Sequence, residues 1–267
     1  NIPVEDIQVI WYRRELVESA KSLPISEEKL EKDIRKYLHS ELSTVKRSLN
    51  YIFKTKKWLS SPDTASPNKI DVLKTAMRAG INIPATIVTT SKEELASFQK
   101  HYLKIITKPI FEVSIFNYDN DTYWKYTALP TENTIAEYDE NIFPTLAQEL
   151  IEKEYEVRTF YLDGEFYSMA IFSQSDTQTT VDFRRYNFGK PNRNIPYQLP
   201  KETEDKLEKL MRELGMNTGS IDMIKAKDGR YVFLEVNPVG QFGMVSHPCN
   251  YFLEKKVAEW MIKYDKS

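Results

Sequence analysis

Apolar positions along the chain repeat with two periods. Over residues 27–58, Leu30, Ile34, Leu38, Leu42, Val45, Leu49 and Ile52 recur every three or four positions, which predicts one long charged helix. The same spacing predicts a helix over 69–79 closed by Gly80, and another over 200–214 ended by Gly215. Residues 91–101 read as a helix with Ser91 as cap and Glu94 at the capping-box position. Leu253, Val257, Trp260 and Met261 form the stripe of a last helix. Short β-type runs cover 7–12, 81–90, 104–110 and 124–129, and residues 145–149 lead into Leu150 and Ile151. Two pairs of runs flank Asp-Gly turns: 156–162 with 165–172 around Asp163-Gly164, and 220–227 with 230–238 around Asp228-Gly229. The Ser- and Pro-rich stretch 59–68 reads as a linker, and 175–193 as a loop that is basic at its end. Helices mixed with strands and hairpins make this an α/β or α+β protein.

Composition narrows the function. The chain has 267 residues, 41% hydrophobic, with 13 Phe and 16 Tyr, too apolar for a disordered chain. A net charge of -2 argues against a general nucleic-acid binder. No apolar run approaches the roughly 20 residues that span a bilayer, so no membrane role is expected. One cysteine, Cys249, excludes an internal disulfide framework and a cysteine-rich zinc site. Three scattered histidines make a His-based metal cluster equally unpromising. No secretory signal opens the chain, which makes the cytoplasm the default, and the first residue, Asn1, suggests that the N-terminus is missing. Of 8 glycines none precedes Gly80, and both common glycine-rich phosphate loops are absent.

The second hairpin carries the sharpest chemistry. Centred on Asp228-Gly229, it sets Asp222 opposite Glu235 and Ser220 opposite Asn237, all on one face. Opposed carboxylates repel. They are either solvent-facing acids on an exposed sheet or the ligands of a cation. An all-oxygen set suits Mg²⁺, which shares its remaining positions with phosphate oxygens. The first hairpin puts Glu156, Arg158 and Phe160 on one face, where an Arg beside a Glu reads first as an ion pair. Arg184, Arg185, Lys190 and Arg193 form a local basic cluster. Trp11 and Tyr12 read as packing residues, and His247 and Cys249 as structural ones.

In their order along the chain these pieces resemble the ATP-grasp superfamily, over about residues 66–245. Lys69 precedes Gly80-Ile81-Asn82-Ile83-Pro84, and Lys108-Pro109 resembles the strand lysine that holds α/β phosphates. Gln148-Glu149-Leu150-Ile151 resembles the adenine-reading hinge, and Glu156 falls where the family has its ribose-binding acid. Asp222 and Glu235-Val236-Asn237-Pro238 match the metal-binding Asp and the E-x-N-P box. Within the superfamily the chain looks most like the grasp-with-spasm peptide maturases, the graspetide macrocyclases. That likeness rests on Trp11-Tyr12-Arg13-Arg14, on Asp182-Phe183-Arg184-Arg185-Tyr186, where Trp is commoner than Phe183, and on residues 233–243 with Gln241.

The resemblance implies two lobes clamping ATP: a pre-ATP-grasp region over 1–65, incomplete here, an N-lobe over 66–147 and a C-lobe with the metal site over 148–267. It implies ATP and Mg²⁺ as cofactors. Lys69, Lys108, Gln148, Glu149, Leu150, Ile151 and Glu156 would hold the nucleotide, and Asp222, Glu235 and Asn237 the metal. Arg158 and Arg184 would stabilise an acyl phosphate, while Asp182, Arg184, Arg185 and Gln241 would meet a ribosomal precursor peptide with a leader and an acidic core. The implied reaction joins Asp or Glu side chains of that peptide to Ser or Thr hydroxyls or Lys amines, and relatives imply a homodimer. An intermolecular carboxylate–amine ligase and a catalytically silent ATP-binding regulator are the competing readings.

Overall fold

The computed structural model describes residues 3–13, 28–111, 115–118, 121–124, 127–173 and 192–265. The first half contains β1 (Val9–Trp11), α1 (Glu28–Ile52), β2 (Lys57–Leu59), α2 (Lys69–Arg78), β3 (Thr86–Ser91), α3 (Lys92–Tyr102), β4 (Ile105–Lys108), β5 (Ile115–Tyr118), β6 (Asp121–Trp124), α4 (Glu132–Ala136) and β7 (Asn141–Glu149). The second half contains β8 (Lys153–Leu162), β9 (Glu165–Phe172), β10 (Arg193–Tyr197), α5 (Lys201–Glu213), β11 (Thr218–Ala226), β12 (Tyr231–Asn237), α6 (Gly243–Cys249) and α7 (Leu253–Asp265). The α/β class expected from the sequence is what the chain adopts.

Both expected hairpins form, and together they build an antiparallel sheet of order β10-β9-β8-β11-β12. The first turns on Asp163 and Gly164, with φ of 46° and 102°, the two positive values that a tight two-residue hairpin turn requires. The second closes differently from expectation. Ala226 N–H donates to Arg230 O at 2.9 Å, so the loop has three residues, Lys227 to Gly229, and Gly229 takes φ 92°. Its ladder starts one residue away from the expected register, with Lys225 opposite Tyr231. An extra residue on β12, Leu234, then restores it, and Asp222 lies opposite Glu235 as the sequence indicates.

This sheet is covered on one face by α2 and α5. Val72, Leu73 and Ala76 of α2 and Leu207, Leu210 and Met211 of α5 pack on Val157, Tyr161, Ile221, Met223 and Phe233. Helix α2, which lies in the stretch assigned to the N-lobe, thus contributes to the core of the larger sheet. On the opposite face, α6 and α7 cover only one end, burying Phe160, Leu162, Met169 and Ile171 with Phe242, Leu253 and Trp260. The rest of that face is left for the site. A smaller sheet, β3-β7-β4, packs on α3 and α4 through Ile105, Ala147, Leu95 and Ile135.

Two expectations near the N-terminus change. The long helix ends at Ile52, and Lys57–Leu59 pairs parallel with β1. The linker is anchored: Leu59 is fully buried, Ser60 N–H donates to Asn217 Oδ1 at 3.1 Å, and Asn217 Nδ2 donates to Trp58 O at 2.7 Å. Asn68 caps α2 by accepting from Ile70 and Asp71 N–H. The caps expected elsewhere form: Ser91 Oγ accepts from Glu94 N–H, while Gly80 and Gly215 take positive φ after α2 and α5. The Glu94 carboxylate, however, bonds Thr89 Oγ1. Strand β10 and helix α6 have no counterpart in the sequence reading.

Candidate nucleotide and metal site

The open face of the large sheet carries a row of polar side chains. Strand pairing sets Arg158 on β8 directly opposite Asp222 on β11, and Asp222 opposite Glu235 on β12. Arg158 Nη1 donates to both Asp222 oxygens, at 2.7 and 2.9 Å, and Asn237 Nδ2 lies 3.5 Å from Asp222 Oδ2. Arg158 and Asp222 are each 7% exposed, whereas Glu235 and Asn237 are half-buried. The ion pair expected for Arg158 with Glu156 is therefore made with Asp222 instead. The reason is register: a neighbour across the ladder is nearer than the next same-face residue along the strand.

Two residues along β8, roughly 7 Å away, Glu156 lies opposite Ile224. It is 6% exposed and takes the ammonium of Lys153, itself 6% exposed. Sequence reasoning missed Lys153, because strict alternation puts residues three apart on opposite faces. A bulge decides it: Tyr155 pairs with Lys225 and Lys153 with Ala226, so Glu154 is the extra residue and Lys153 turns to the face of Glu156. Beside this pair Ile151, Ile224, Ala226, Val232 and Leu234 form an apolar patch. Along the face the order is thus an apolar patch, a buried acid with its lysine, then the Arg158–Asp222–Glu235–Asn237 row.

The small sheet β3-β7-β4 carries further expected residues. On it Lys108, Gln148 and Thr86 share one face, since Lys108 pairs with Leu146 and both Ile106 and Thr86 with Gln148. Gln148 is fully buried and donates to Thr86 Oγ1 at 2.9 Å. Lys69 Nζ reaches Pro109 O at 3.4 Å, so the two expected phosphate lysines come from adjoining segments. At the hinge, Glu149 Oε1 accepts from Ala85 N–H at 3.0 Å, and Leu150 N–H donates to Lys104 O at 3.0 Å. Asn82 O accepts from Phe233 N–H at 2.8 Å, tying the segment before β3 to β12 next to Leu234.

Gln241 is exposed before α6, and Arg193 is exposed over the Phe172 ring. Asp182, Phe183, Arg184, Arg185, Tyr186 and Lys190 lie outside the described residues, as does Arg14. Trp11 does pack, against Phe242 at 6.2 Å, with the Arg13 guanidinium 5.1 Å from the Phe242 ring. A cavity lined by Trp58, Tyr161, Asp163, Glu208 and Asn217, among others, sits at the β8–β9 turn and includes none of the expected site residues.

The donor set fits Mg²⁺ with a phosphate ligand. Among the described residues no three His, Cys, Asp or Glu side chains gather, so the acid pair is completed only by the Asn237 amide. Mg²⁺ accepts that sparse arrangement because it keeps waters and phosphate oxygens. The contact with Arg158 leaves further lone pairs on the Asp222 oxygens. Two buried polar atoms of the row, Arg158 Nε and Ser220 Oγ, have no hydrogen-bond partner. A buried donor without a partner costs about 1–3 kcal/mol.

No family model matches the sequence, and no curated protein matches it either. Solved structures do. A Chryseobacterium gregarium RiPP-associated ATP-grasp ligase, in complex with ADP and a leader and core peptide, matches with TM-score 0.82 and 25% identity, over 98% of this chain and 78% of that one. The macrocyclase MdnC of Microcystis aeruginosa, bound with precursor peptide MdnA, matches with TM-score 0.78 and 24% identity, over 97% and 79%. The D-alanyl-alanine synthetase A of Vibrio cholerae matches more distantly, with TM-score 0.54 and 13% identity over 82% and 72%. No helix among the described residues is long and apolar enough to cross a membrane. The chain therefore has the fold of the ATP-grasp ligases.

Proposed function

We propose that this protein is an ATP-dependent ligase that joins Asp or Glu side-chain carboxylates of a ribosomal precursor peptide to Ser or Thr hydroxyls or Lys amines, closing macrocyclic ester or amide links. The observation that carries the reading is the Arg158–Asp222–Glu235–Asn237 row beside a buried acid, in a chain with the fold of a peptide-bound ATP-grasp ligase. Lys69 and Lys108 would hold phosphates, Gln148 to Ile151 the adenine, Glu156 the ribose, and Asp222, Glu235 and Asn237 the Mg²⁺. ATP would supply the γ-phosphoryl group, leaving ADP, to make a peptide carboxylate into an acyl phosphate, and Mg²⁺ would neutralise the phosphate charge; a hydroxyl or amine would then displace phosphate from the acyl carbon.

The chain's own part is positioning and charge neutralisation. Arg158, held in the row by Asp222, would face an acyl oxyanion, and Arg presents such groups with fixed, paired donors. Arg184 is given the same role from the resemblance, and Asp182, Arg185 and Gln241 the peptide. No covalent nucleophile on the enzyme is needed. The resemblance also carries the reading of a homodimer; a solution mass near that of one chain would exclude it.

Intact-mass analysis of a precursor peptide incubated with the protein, ATP and Mg²⁺ tests the reaction. Successive losses of one water, about 18 Da each, are expected, and Glu235→Ala should abolish them by removing a metal carboxylate. An increase by the mass of a second reactant would replace macrocyclisation with intermolecular ligation. Nucleotide binding without any product would favour the regulator.

A further inference from the structure

The Lys153–Glu156 pair is built at a cost. Both side chains are more than nine-tenths buried, on a central strand, beside the apolar patch of Ile151, Ile224 and Ala226. Taking two charges out of water costs several kcal/mol per ion, which good geometry only repays. An apolar pair of similar volume would suit this patch at least as well. The strand is also bent to make the pair, since without the bulge at Glu154 the lysine would face the other side. Surface lysines nearby show the alternative: Lys225 and Lys227, close in space, meet Gly229 O and Glu152 at exposed positions.

We propose that Lys153 is a positioning residue for nucleotide binding, which keeps the Glu156 carboxylate charged and aimed so that it accepts hydrogen bonds from the ribose hydroxyls. This rests on the nucleotide-site reading above and adds to it a residue that sits three positions before the acid. Its ammonium is the cation that permits an ionised carboxylate at this depth, because an isolated buried carboxylate favours its neutral form, which presents a donor as well as acceptors. Lys153 thereby acts on the ribose through Glu156 and not by touching the phosphates.

The test is nucleotide affinity of the full chain with Mg²⁺, for ATP and for 2′,3′-dideoxy-ATP, which lacks the ribose hydroxyls. Lys153→Met should weaken ATP binding about tenfold or more and change dideoxy-ATP binding little, so that the preference for the hydroxylated nucleotide disappears. Lys153→Arg should recover most of the preference. If Lys153→Met does not fold, Lys153→Gln, which removes the charge and leaves Glu156 in place, decides the matter, since it too should reduce the preference for the hydroxylated nucleotide. Equal losses for both nucleotides, or a preserved preference in either variant, would overturn the positioning role alone. Failure of the wild-type chain to bind ATP would overturn the nucleotide site and this role together.

Discussion

At the scale of single residues, the site depends on how closely groups approach. Gly240 shows it best. A Cβ at that position would lie 2.3 Å from Ser220 Oγ, 2.4 Å from Ser220 Cβ and 2.9 Å from Asn237 O. Ser220 is fully buried and lies opposite Asn237 on the metal face. The loop leaving β12 therefore folds tightly over the first ladder pair of the row, and glycine is required by contact. Gly240→Ala should lower the melting temperature and weaken Mg²⁺-dependent nucleotide binding by pushing Asn237 away from Asp222. Adding Ser220→Gly, which removes two of the three clashes, should recover part of both. A Gly240→Ala protein with unchanged melting and binding would show that the loop adjusts freely.

At the scale of elements, the large sheet owes its stability to one face and its chemistry to the other. Helix α5 has Leu207, Leu210 and Met211 completely buried against Val157, Ile221 and Phe233. Helix α1 has the same kind of apolar stripe, yet Leu38, Leu42, Val45 and Leu49 are 40–56% exposed. Amphipathic spacing alone does not distinguish the two; packing does. Leu210→Ala should cost about 2–5 kcal/mol of unfolding free energy by leaving a cavity, read in a urea titration, without changing which nucleotide binds. A loss below about 0.5 kcal/mol, the range of surface substitutions, would mean that α5 does not hold the sheet as described.

At the scale of the molecule, α6 and α7 lock the end of the open face, and Cys249 sits inside that lock with Leu253, Val257 and Phe242. Burial pushes its thiol from 9.0 up to about 11, so it is neutral at pH 8 and unreactive. A disulfide reagent should leave native protein unlabelled at pH 8 and titrate one thiol per chain after denaturation. The sign of the pH dependence follows. The folded thiol binds its proton more tightly than the unfolded one, so its contribution is complete below the unfolded pKa and is lost as pH rises from 9.0 towards about 11. Rapid labelling of native protein at pH 8 would show that α6 and α7 open without global unfolding.

Much of this was legible from one sequence because it is local. The two Asp-Gly turns, the caps at Ser91, Gly80 and Gly215 and the helix of 200–214 depend on neighbours a few residues away, and they form as read. The opposition of Asp222 and Glu235 was also legible, though through two departures that cancel, a three-residue loop and the bulge at Leu234. Other features needed partners far along the chain. Lys57–Leu59 becomes a strand only beside Val9–Trp11, Leu59 is buried only under α7, and β10 exists only along β9. Arg158 meets Asp222 in place of Glu156 because β8 and β11, 64 residues apart at that contact, are aligned by the whole sheet. The same holds for Lys153. Alternation along a strand has a strict period of two, so the chain alone gives each side chain a face until an extra residue enters the ladder. Where that residue enters is settled by the strands on either side, and here those bulges put Lys153 and Leu234 on the face that carries the chemistry.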